Sequence, residues 1–262
     1  MKRPQLLTYN ISPHVTAFSS TRHGGYSKGN YGEFNINPYC GDETYAAELN
    51  RKALCEELAL DEACLILPHQ IHKTEILKID EDFLKLDTKQ RREKLEGVDA
   101  LITQKAGICI SVSTADCVPI LLYAQDKKVI AAVHAGWRGT LENIAQKATK
   151  VLINEYGVNV NAIKAVIGPS ISQKAFEVGN EVYEAFLDKG FDIDKIAIRQ
   201  ENKWHIDLWE ANRMQLEGLS IDKNNIQTIG ICTFYNNDDF FSARRLGINS
   251  GRIVSGIILR KP

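Results

Sequence analysis

The sequence predicts a single α/β domain, spanning residues 1–262, in which mixed sheets pack against outer helices. Short apolar runs rich in β-branched residues recur along the chain, and they alternate with longer segments whose apolar residues repeat at helical spacing. Two of the apolar runs are joined by only five residues, which favours an antiparallel hairpin and disfavours a purely parallel sheet. Helices that cover mixed sheets are the expected architecture for this mixture of elements.

The individual elements follow from these patterns. Strands are predicted at residues 14–19, 64–67, 99–103, 108–113, 118–123, 129–134, 163–167, 226–231 and 252–259. Helices are predicted at residues 44–58, 141–156, 181–187 and 208–219. The second helix has a continuous apolar stripe, whereas residues 82–96 are so rich in charge that they predict a solvated surface segment, helical or looped.

The composition excludes several classes of protein. The chain has 262 residues and a formal charge of -1 at pH 7, so it lacks the excess of Lys and Arg that a nucleic-acid-binding face requires. No apolar run has the length of a signal peptide core or a membrane span, so we expect a cytoplasmic protein with no membrane partner. In a reducing compartment, the six scattered cysteines are expected as buried residues, a nucleophile or a metal ligand.

The first of three segments with chemically useful side chains is 68–73, which contains His69 and His72. If the extended backbone of the preceding strand continues, the two histidines face opposite sides of it. We therefore expect one of them to enter a given pocket. A histidine at this position also fits a structural, hydrogen-bonded role.

The second segment, 111–119, places Cys117 in a run of small polar residues between two strands. Polar neighbours favour the thiolate form of a cysteine, which makes Cys117 the best candidate for a reactive sulfur. In an ordinary turn, Asp116 and the nearby hydroxyl groups would instead satisfy backbone groups.

The third segment, 131–140, ends an apolar strand at His134 and predicts a helix that begins near Thr140, whose hydroxyl would cap it. Free amide groups at this helix start would attract phosphate or carboxylate, and Arg138 would add to the effect. An ordinary strand-to-helix turn fits the same residues.

The predicted hairpin brings Cys117 and His134 to the same open end of the sheet. Together with His72 they supply two imidazoles and a thiolate, a ligand set that suits zinc and leaves a fourth position for water or substrate. The same residue types also occur at copper electron-transfer sites, so copper is the alternative metal.

Seven sequence blocks follow one another from near residue 20 to near residue 252. They read TRHGGYS, PHQIHKT, VDALIT, STADCVPILLY, AAVHAGWRGT, IGPSISQKAFEVG and FFSARRLGINSGR. These blocks resemble the signatures of the YfiH family, whose members are also described as multicopper polyphenol oxidases, laccase-domain proteins or peptidoglycan editing factors. The resemblance implies a single domain with α-β-β-α layers, similar to the catalytic domain of cytotoxic necrotizing factor.

The resemblance also implies that His72, Cys117 and His134 hold a metal in a purine nucleoside enzyme. Such an enzyme phosphorolyses adenosine, inosine and methylthioadenosine and also deaminates adenosine. Phosphorolysis needs a bound phosphate and a proton donor for the departing purine. Candidate phosphate ligands are Arg22, Arg138, Gly139 and Arg244. Asp116 or Glu177 could carry the proton. Trp137 or Phe241 could stack on the base.

Three alternatives to this function remain open on the sequence. A laccase-like copper oxidase is disfavoured by a supply of only six histidines and two methionines, Met1 and Met214. A cysteine hydrolase acting on a peptidoglycan precursor would use Cys117 as nucleophile and His134 as base. A purine-sensing module would bind nucleoside without consuming it. The expected partners are purine nucleoside and phosphate, bound by a monomer or small homo-oligomer, with no nucleic acid.

Overall fold

The computed structural model describes residues 2–260. Its strands are β1 (Leu6–Tyr9), β2 (Val15–Ser20), β3 (Leu65–Ile66), β4 (Ile76–Lys78), β5 (Ala100–Thr103), β6 (Cys109–Thr114), β7 (Val118–Ala124), β8 (Val129–Ala135), β9 (Ile163–Ile167), β10 (Glu177–Val178), β11 (Ala197–Gln200), β12 (Lys203–Ile206), β13 (Ile226–Thr228) and β14 (Ile253–Leu259). Its α-helices are α1 (Thr44–Glu57), α2 (Glu81–Lys85), α3 (Thr88–Lys94), α4 (Trp137–Leu141), α5 (Ile144–Tyr156), α6 (Asn180–Asp188), α7 (Ile193–Ile196), α8 (Leu208–Glu217) and α9 (Ala243–Leu246).

Two mixed sheets form the centre of the fold. The larger has six strands in the order β13-β9-β7-β8-β5-β4, and the smaller has five strands in the order β1-β2-β14-β6-β3. The pairs β13–β9, β4–β5 and β3–β6 are parallel, and the other neighbours in these two sheets are antiparallel. A separate three-stranded sheet has the order β10-β12-β11. The prediction of a mixed α/β fold is therefore confirmed.

Apolar side chains hold the two large sheets face to face and hold helices on their outer faces. Between the sheets, Leu121 and Tyr123 of β7 share a buried cluster with Ile110 of β6 and Ile257 of β14. The outer face of the six-stranded sheet packs against α5, α6 and α8, and the outer face of the five-stranded sheet packs against α1. The layers thus run helix, sheet, sheet, helix, as the sequence blocks implied.

The predicted antiparallel hairpin is confirmed, and it positions two of the candidate ligands. β7 pairs with β8 from Val118 opposite Ala135 to the turn at 125–128, and every residue of both strands is buried. Alternating side chains of these strands fill the core on both faces of the sheet, which explains their continuous apolar sequence. Because Val118 lies opposite Ala135, their neighbours Cys117 and His134 lie at the same end of the sheet.

The start of the helix after β8 differs from the prediction. A short helix, α4, begins at Trp137 with Gly136 in extended conformation as its N-cap, so the predicted cap at Thr140 is wrong. Thr140 lies inside α4, fully buried, and its hydroxyl accepts a hydrogen bond from the amide of Asn212. The chain then breaks at Asn143, which has a φ of 60°, before α5 begins. The helix predicted at 141–156 therefore corresponds to α5 together with the last residue of α4.

Other segments are shorter or more regular than predicted. β3 and β13 end at Ile66 and Thr228, before the predicted ends at 67 and 231. The charged segment 82–96 forms α2 and α3, whose first turns are capped by the carboxylates of Asp80 and Asp87. Within residues 2–260, no helix has both the length and the apolar character needed to cross a membrane.

Candidate metal centre

His72, Cys117 and His134 converge, although they come from three separate parts of the chain. Among the His, Cys, Asp and Glu side chains of residues 2–260, these three form a group whose possible ligand atoms all lie within 4.8 Å of one another. The two imidazole rings meet edge to face, with centroids 4.9 Å apart and an interplanar angle of 75°. His72 is exposed, Cys117 is half-buried and His134 is buried, so the group forms the floor of an open pocket.

The donor set fits a tetrahedral zinc ion with one open position. Zn–N distances of about 2.0–2.1 Å and a Zn–S distance of about 2.3 Å place neighbouring donors roughly 3.3–3.7 Å apart. The limit of 4.8 Å that encloses the ligand atoms exceeds this separation by about 1 Å. Gly136 makes the necessary room, because a Cβ atom there would lie 2.9 Å from Cδ2 of His72 and 3.1 Å from Sγ of Cys117.

Asp99, which was not among the residues proposed from the sequence, holds two of the three candidate ligands in place. Its side chain is completely buried, and Oδ1 lies 2.7 Å from Nδ1 of His134. The same oxygen accepts a hydrogen bond of 3.0 Å from the backbone N–H of His72, and Oδ2 accepts one of 2.8 Å from Lys73. A carboxylate on Nδ1 directs Nε2 of His134 toward a metal, an arrangement common at zinc sites.

Asp99 also explains why the expected alternation of His69 and His72 is wrong. β3 ends at Ile66, so the extended backbone does not reach the histidines, and His72 has a φ of 63°. This left-handed conformation is stabilised by the hydrogen bonds from the 71–73 backbone to Asp99. Both histidines consequently line the same pocket. The one sequence feature that could have identified Asp99 is its charge next to the apolar residues of the block VDALIT.

The electrostatics of the three side chains favour ionised sulfur. Burial disfavours the thiolate, but attraction and hydrogen bonding from His134 and His72 outweigh it and lower the pKa of Cys117 to about 6. Burial likewise disfavours the charged form of His134, but the Cys117 thiolate and the Asp99 carboxylate raise its pKa to about 9. Both shifts favour ionised sulfur on Cys117 and a protonated ring on His134.

A cavity of about 520 Å³ lies over the three side chains. Its volume falls within the range of small-molecule sites. Its lining contains polar side chains, two guanidinium groups and two aromatic rings: Asn37, Gln70, Ser113, Thr114, Arg244, Arg252, Tyr39 and Phe176. Tyr39 stacks on His69 with ring centroids 4.1 Å apart. The two aromatic rings were not among the residues proposed from the sequence.

Two further residues proposed from the sequence, Asp116 and Arg244, lie in this cavity. Asp116 adopts a φ of 85°, and its two oxygens accept hydrogen bonds of 2.7 Å from the hydroxyl of Thr233 and from the backbone N–H of Arg244. Arg244 is exposed and donates two hydrogen bonds of 3.1 Å from its guanidinium to the carbonyl of Glu177. Oδ2 of Asp116 thus positions the backbone of Arg244, while Oδ1 is held by Thr233, so both oxygens already have hydrogen-bond partners.

Arg22 and Phe241 lie outside the cavity lining and contact each other instead. The guanidinium of Arg22 donates to the carbonyls of Gly32 and Asn237, at 2.9 Å and 2.8 Å, and lies 4.9 Å from the centroid of the Phe241 ring. Phe241 is fully buried, and its ring covers Gly251. Their side chains join chain segments, and this placement gives no support for phosphate binding by Arg22 or base stacking by Phe241.

Arg138 and Gly139 also lie outside the lining of the cavity. The guanidinium of Arg138 is exposed and lies 4.2 Å from the centroid of the Trp137 ring, which packs against the apolar cluster of the six-stranded sheet. Trp137 does not line the cavity either, so this placement gives no support for phosphate binding by Arg138 or base stacking by Trp137. Gly139 is buried inside α4, where a Cβ atom would lie 3.3 Å from the carbonyl oxygen of Lys73. Its small size permits the close approach of the loop that carries His72.

This chain is similar over most of its length to a family model and to proteins with named activities. Residues 16–260 match the family model described as multi-copper polyphenol oxidoreductase laccase. A protein of Bacteroides thetaiotaomicron named purine nucleoside phosphorylase is 48% identical over 250 residues, which cover 95% of this chain and 93% of the relative. Adenosine deaminase RL5, from an unknown prokaryotic organism, is 42% identical over 245 residues, which cover 93% of each chain.

Solved structures agree with this match. The hypothetical protein YfiH of Bacillus licheniformis superposes with a TM-score of 0.92 at 28% identity, covering 98% of this chain and 97% of that one. YlmD from Geobacillus stearothermophilus superposes with a TM-score of 0.89, also at 28% identity, covering 97% and 94%. With the family model matched over nearly the whole chain and the fold shared from end to end, this protein belongs to the YfiH family of laccase-domain proteins.

Proposed function

We propose that this protein is a zinc-dependent purine nucleoside enzyme that phosphorolyses adenosine, inosine and methylthioadenosine and deaminates adenosine. The observation that carries the proposal is the convergence of His72, Cys117 and His134 on the floor of an open cavity. Relatives that align over more than nine-tenths of this chain are named purine nucleoside phosphorylase and adenosine deaminase, which supports the choice of substrate.

The three candidate ligands and Asp99 would hold the metal. When bound, zinc would supply a Lewis acid and lower the pKa of coordinated water, the chemistry that hydrolytic deamination of a purine requires. The carboxylate of Asp99 is bonded to Nδ1 of His134, which leaves Nε2 free to bind the metal. The hydrogen bonds from the 71–73 backbone to Asp99 keep His72 in the cavity. The protein thus holds its donors in position before any substrate enters.

The cavity wall offers separate places for the two reactants of phosphorolysis. Arg244 is the exposed cation of the lining, and its planar guanidinium suits the oxygens of phosphate. Phe176 lies beside Arg244, with its ring centroid 5.6 Å from the guanidinium carbon, so Tyr39 is the aromatic surface that is separate from Arg244 and against which a purine can stack. Phosphate at Arg244 and the base against Tyr39 would leave the sugar between them, in the cavity that the candidate metal ligands also line.

Incubation of the zinc-loaded protein with adenosine, with and without phosphate, tests this proposal. Adenine and ribose 1-phosphate, formed only when phosphate is present, are the expected products of phosphorolysis, and inosine is the product of deamination. Both activities should disappear after chelation and return with zinc. Binding of adenosine without any product would contradict the enzymatic proposal and favour a purine-sensing module.

A cysteine hydrolase is the second candidate, because one observation favours it directly. Cys117, His134 and Asp99 are linked in the order nucleophile, base and orienting carboxylate, and the pKa of Cys117 is low. The thiolate would attack a carbonyl carbon, and His134 would protonate the leaving amine. Turnover of a peptidoglycan precursor that survives complete chelation, with an acyl adduct on Cys117 in the mass spectrum, would favour this function over the nucleoside enzyme.

A laccase-like copper oxidase receives less support. Within residues 2–260, the convergent ligand group contains three residues, whereas a multicopper cluster requires several ligand sets. Elemental analysis of the purified protein, together with oxygen uptake on a phenolic substrate, distinguishes copper from zinc.

A further inference from the structure

A second cavity lies beside the metal-centre cavity and is lined by three arginines. Its volume is about 670 Å³, and it is bordered by Arg51 of α1 and by Arg91 and Arg92 of α3. We name it the arginine cavity. Tyr39 lines both this cavity and the one over His72, Cys117 and His134, so the two spaces are neighbours with one aromatic residue between them.

Two of the three guanidinium groups are fixed by backbone carbonyls. Arg51 donates to the carbonyl oxygens of Glu62 and Leu65, and Arg91 donates to those of Ala63, Leu84 and Leu86. These bonds hold the side chains in place without neutralising their charge.

Carboxylates do not neutralise the arginine cavity either. Among residues 2–260, the ion pairs that the structure forms involve neither Arg51 nor Arg91 nor Arg92. Glu62 is the one acidic residue of the lining, and it is exposed. The lining therefore carries a net positive charge, of which the Arg51 and Arg91 guanidinium groups are held in a fixed geometry.

The rest of the lining is mostly apolar: Pro38, Tyr39 and Ala63 reach the surface, four aliphatic residues lie beneath them, and Thr44 and Thr88 are the polar exceptions. Leu65, Ile66 and Leu67 are at most 7% exposed, and Leu95 is 9% exposed. A ligand that matches both parts of the lining needs an anionic head and an apolar or aromatic body. Guanidinium groups bind carboxylate and phosphate alike through charge-assisted and often paired hydrogen bonds, and a phosphomonoester carries the larger negative charge, which suits a lining of three arginines.

We propose that the arginine cavity binds an organic phosphomonoester, with its phosphate on the arginines and its body against the apolar wall. The volume suits a ligand of nucleotide size. This proposal does not rest on the nucleoside activity, because none of the metal ligands lines the arginine cavity.

Calorimetric titration of the full-length protein with adenosine 5′-monophosphate tests this site. The decisive variant is Arg92→Glu, because Arg92 is exposed and its replacement leaves the core intact. Lys94→Glu is the matched control: it makes the same charge change on the same exposed helix but lies outside the cavity lining. We expect Arg92→Glu to weaken nucleotide binding at least tenfold and Lys94→Glu to change it less than twofold.

Further titrations identify the part of the ligand that binds and its location. Inorganic phosphate should bind more weakly than the nucleotide, and adenosine should not compete for the arginine cavity. Arg51→Gln, a second variant of the same lining, should weaken binding as well.

An equal loss in Arg92→Glu and Lys94→Glu, or no binding to the wild type at millimolar nucleotide, would overturn the proposal. Loss in Arg244→Glu with normal binding in Arg92→Glu would place the nucleotide in the metal-centre cavity and would also overturn it.

Discussion

Replacing Asp99 by Asn should weaken zinc binding while leaving the fold intact. The carboxylate accepts hydrogen bonds from the backbone of His72 and Lys73 and is bonded to Nδ1 of His134 at 2.7 Å. An Asn side chain has one acceptor oxygen in place of two. If that oxygen accepts from the N–H of Lys73, the side-chain NH₂ group takes the position of the other oxygen. There it faces the backbone N–H of His72 and the Nδ1–H of His134 in its metal-binding tautomer, and both of these groups are donors.

Loss of such a supporting carboxylate typically lowers metal affinity about 10- to 100-fold, which corresponds to about 1.4–2.7 kcal/mol. Competition with a chromophoric chelator measures the zinc affinity, and the visible spectrum of the cobalt-substituted protein reports the ligand geometry. Asp207→Asn is the matched control, because Asp207 caps α8 through the backbone N–H of Glu210 and lies outside the cavity over the candidate ligands. Unchanged zinc affinity in a folded Asp99→Asn protein would refute the positioning role of Asp99.

Three other substitutions test the site in different ways. Gly136→Ala is compatible with the local backbone but crowds two candidate ligands, so the zinc content should fall; full zinc occupancy would show that the ligands are placed differently. Arg244→Ala should raise the KM for phosphate about tenfold while Arg138→Ala leaves it unchanged, and equal effects would remove Arg244 from the phosphate site. Phe241→Ala should lower the free energy of unfolding by about 3–5 kcal/mol because the ring is fully buried. In chemical denaturation, a loss below 1 kcal/mol would argue that the ring is not part of the core.

The central part of the fold could be predicted from the sequence because its signals are local. Continuous apolar runs identify strands that are buried on both faces, and a connection of five residues requires an antiparallel partner. The order of strands within each sheet could not be predicted, because it depends on contacts between distant parts of the chain. β14, at the end of the chain, lies between β2 and β6, and no local pattern in residues 253–259 specifies those neighbours.

Two of the three candidate ligands could be predicted for the same reason, since the hairpin alone brings Cys117 and His134 together. His72 was indicated by the family resemblance and not by local geometry. Asp99 was missed because its role depends on a backbone turn at His72 that has no sequence pattern of its own. Arg22 and Phe241 illustrate the opposite error. Arginines and aromatic rings are as useful for joining chain segments as for binding ligands, and only the three-dimensional contacts show which use applies.

X-ray absorption at the zinc K-edge of the zinc-loaded protein tests the central claim most directly. His72, Cys117 and His134 should appear as one sulfur at about 2.3 Å and two imidazole nitrogens at about 2.0–2.1 Å, with a light atom in the remaining position. The sulfur contribution should vanish in Cys117→Ala. A wild-type spectrum without sulfur, or one that Cys117→Ala leaves unchanged, would contradict the assignment of this metal centre.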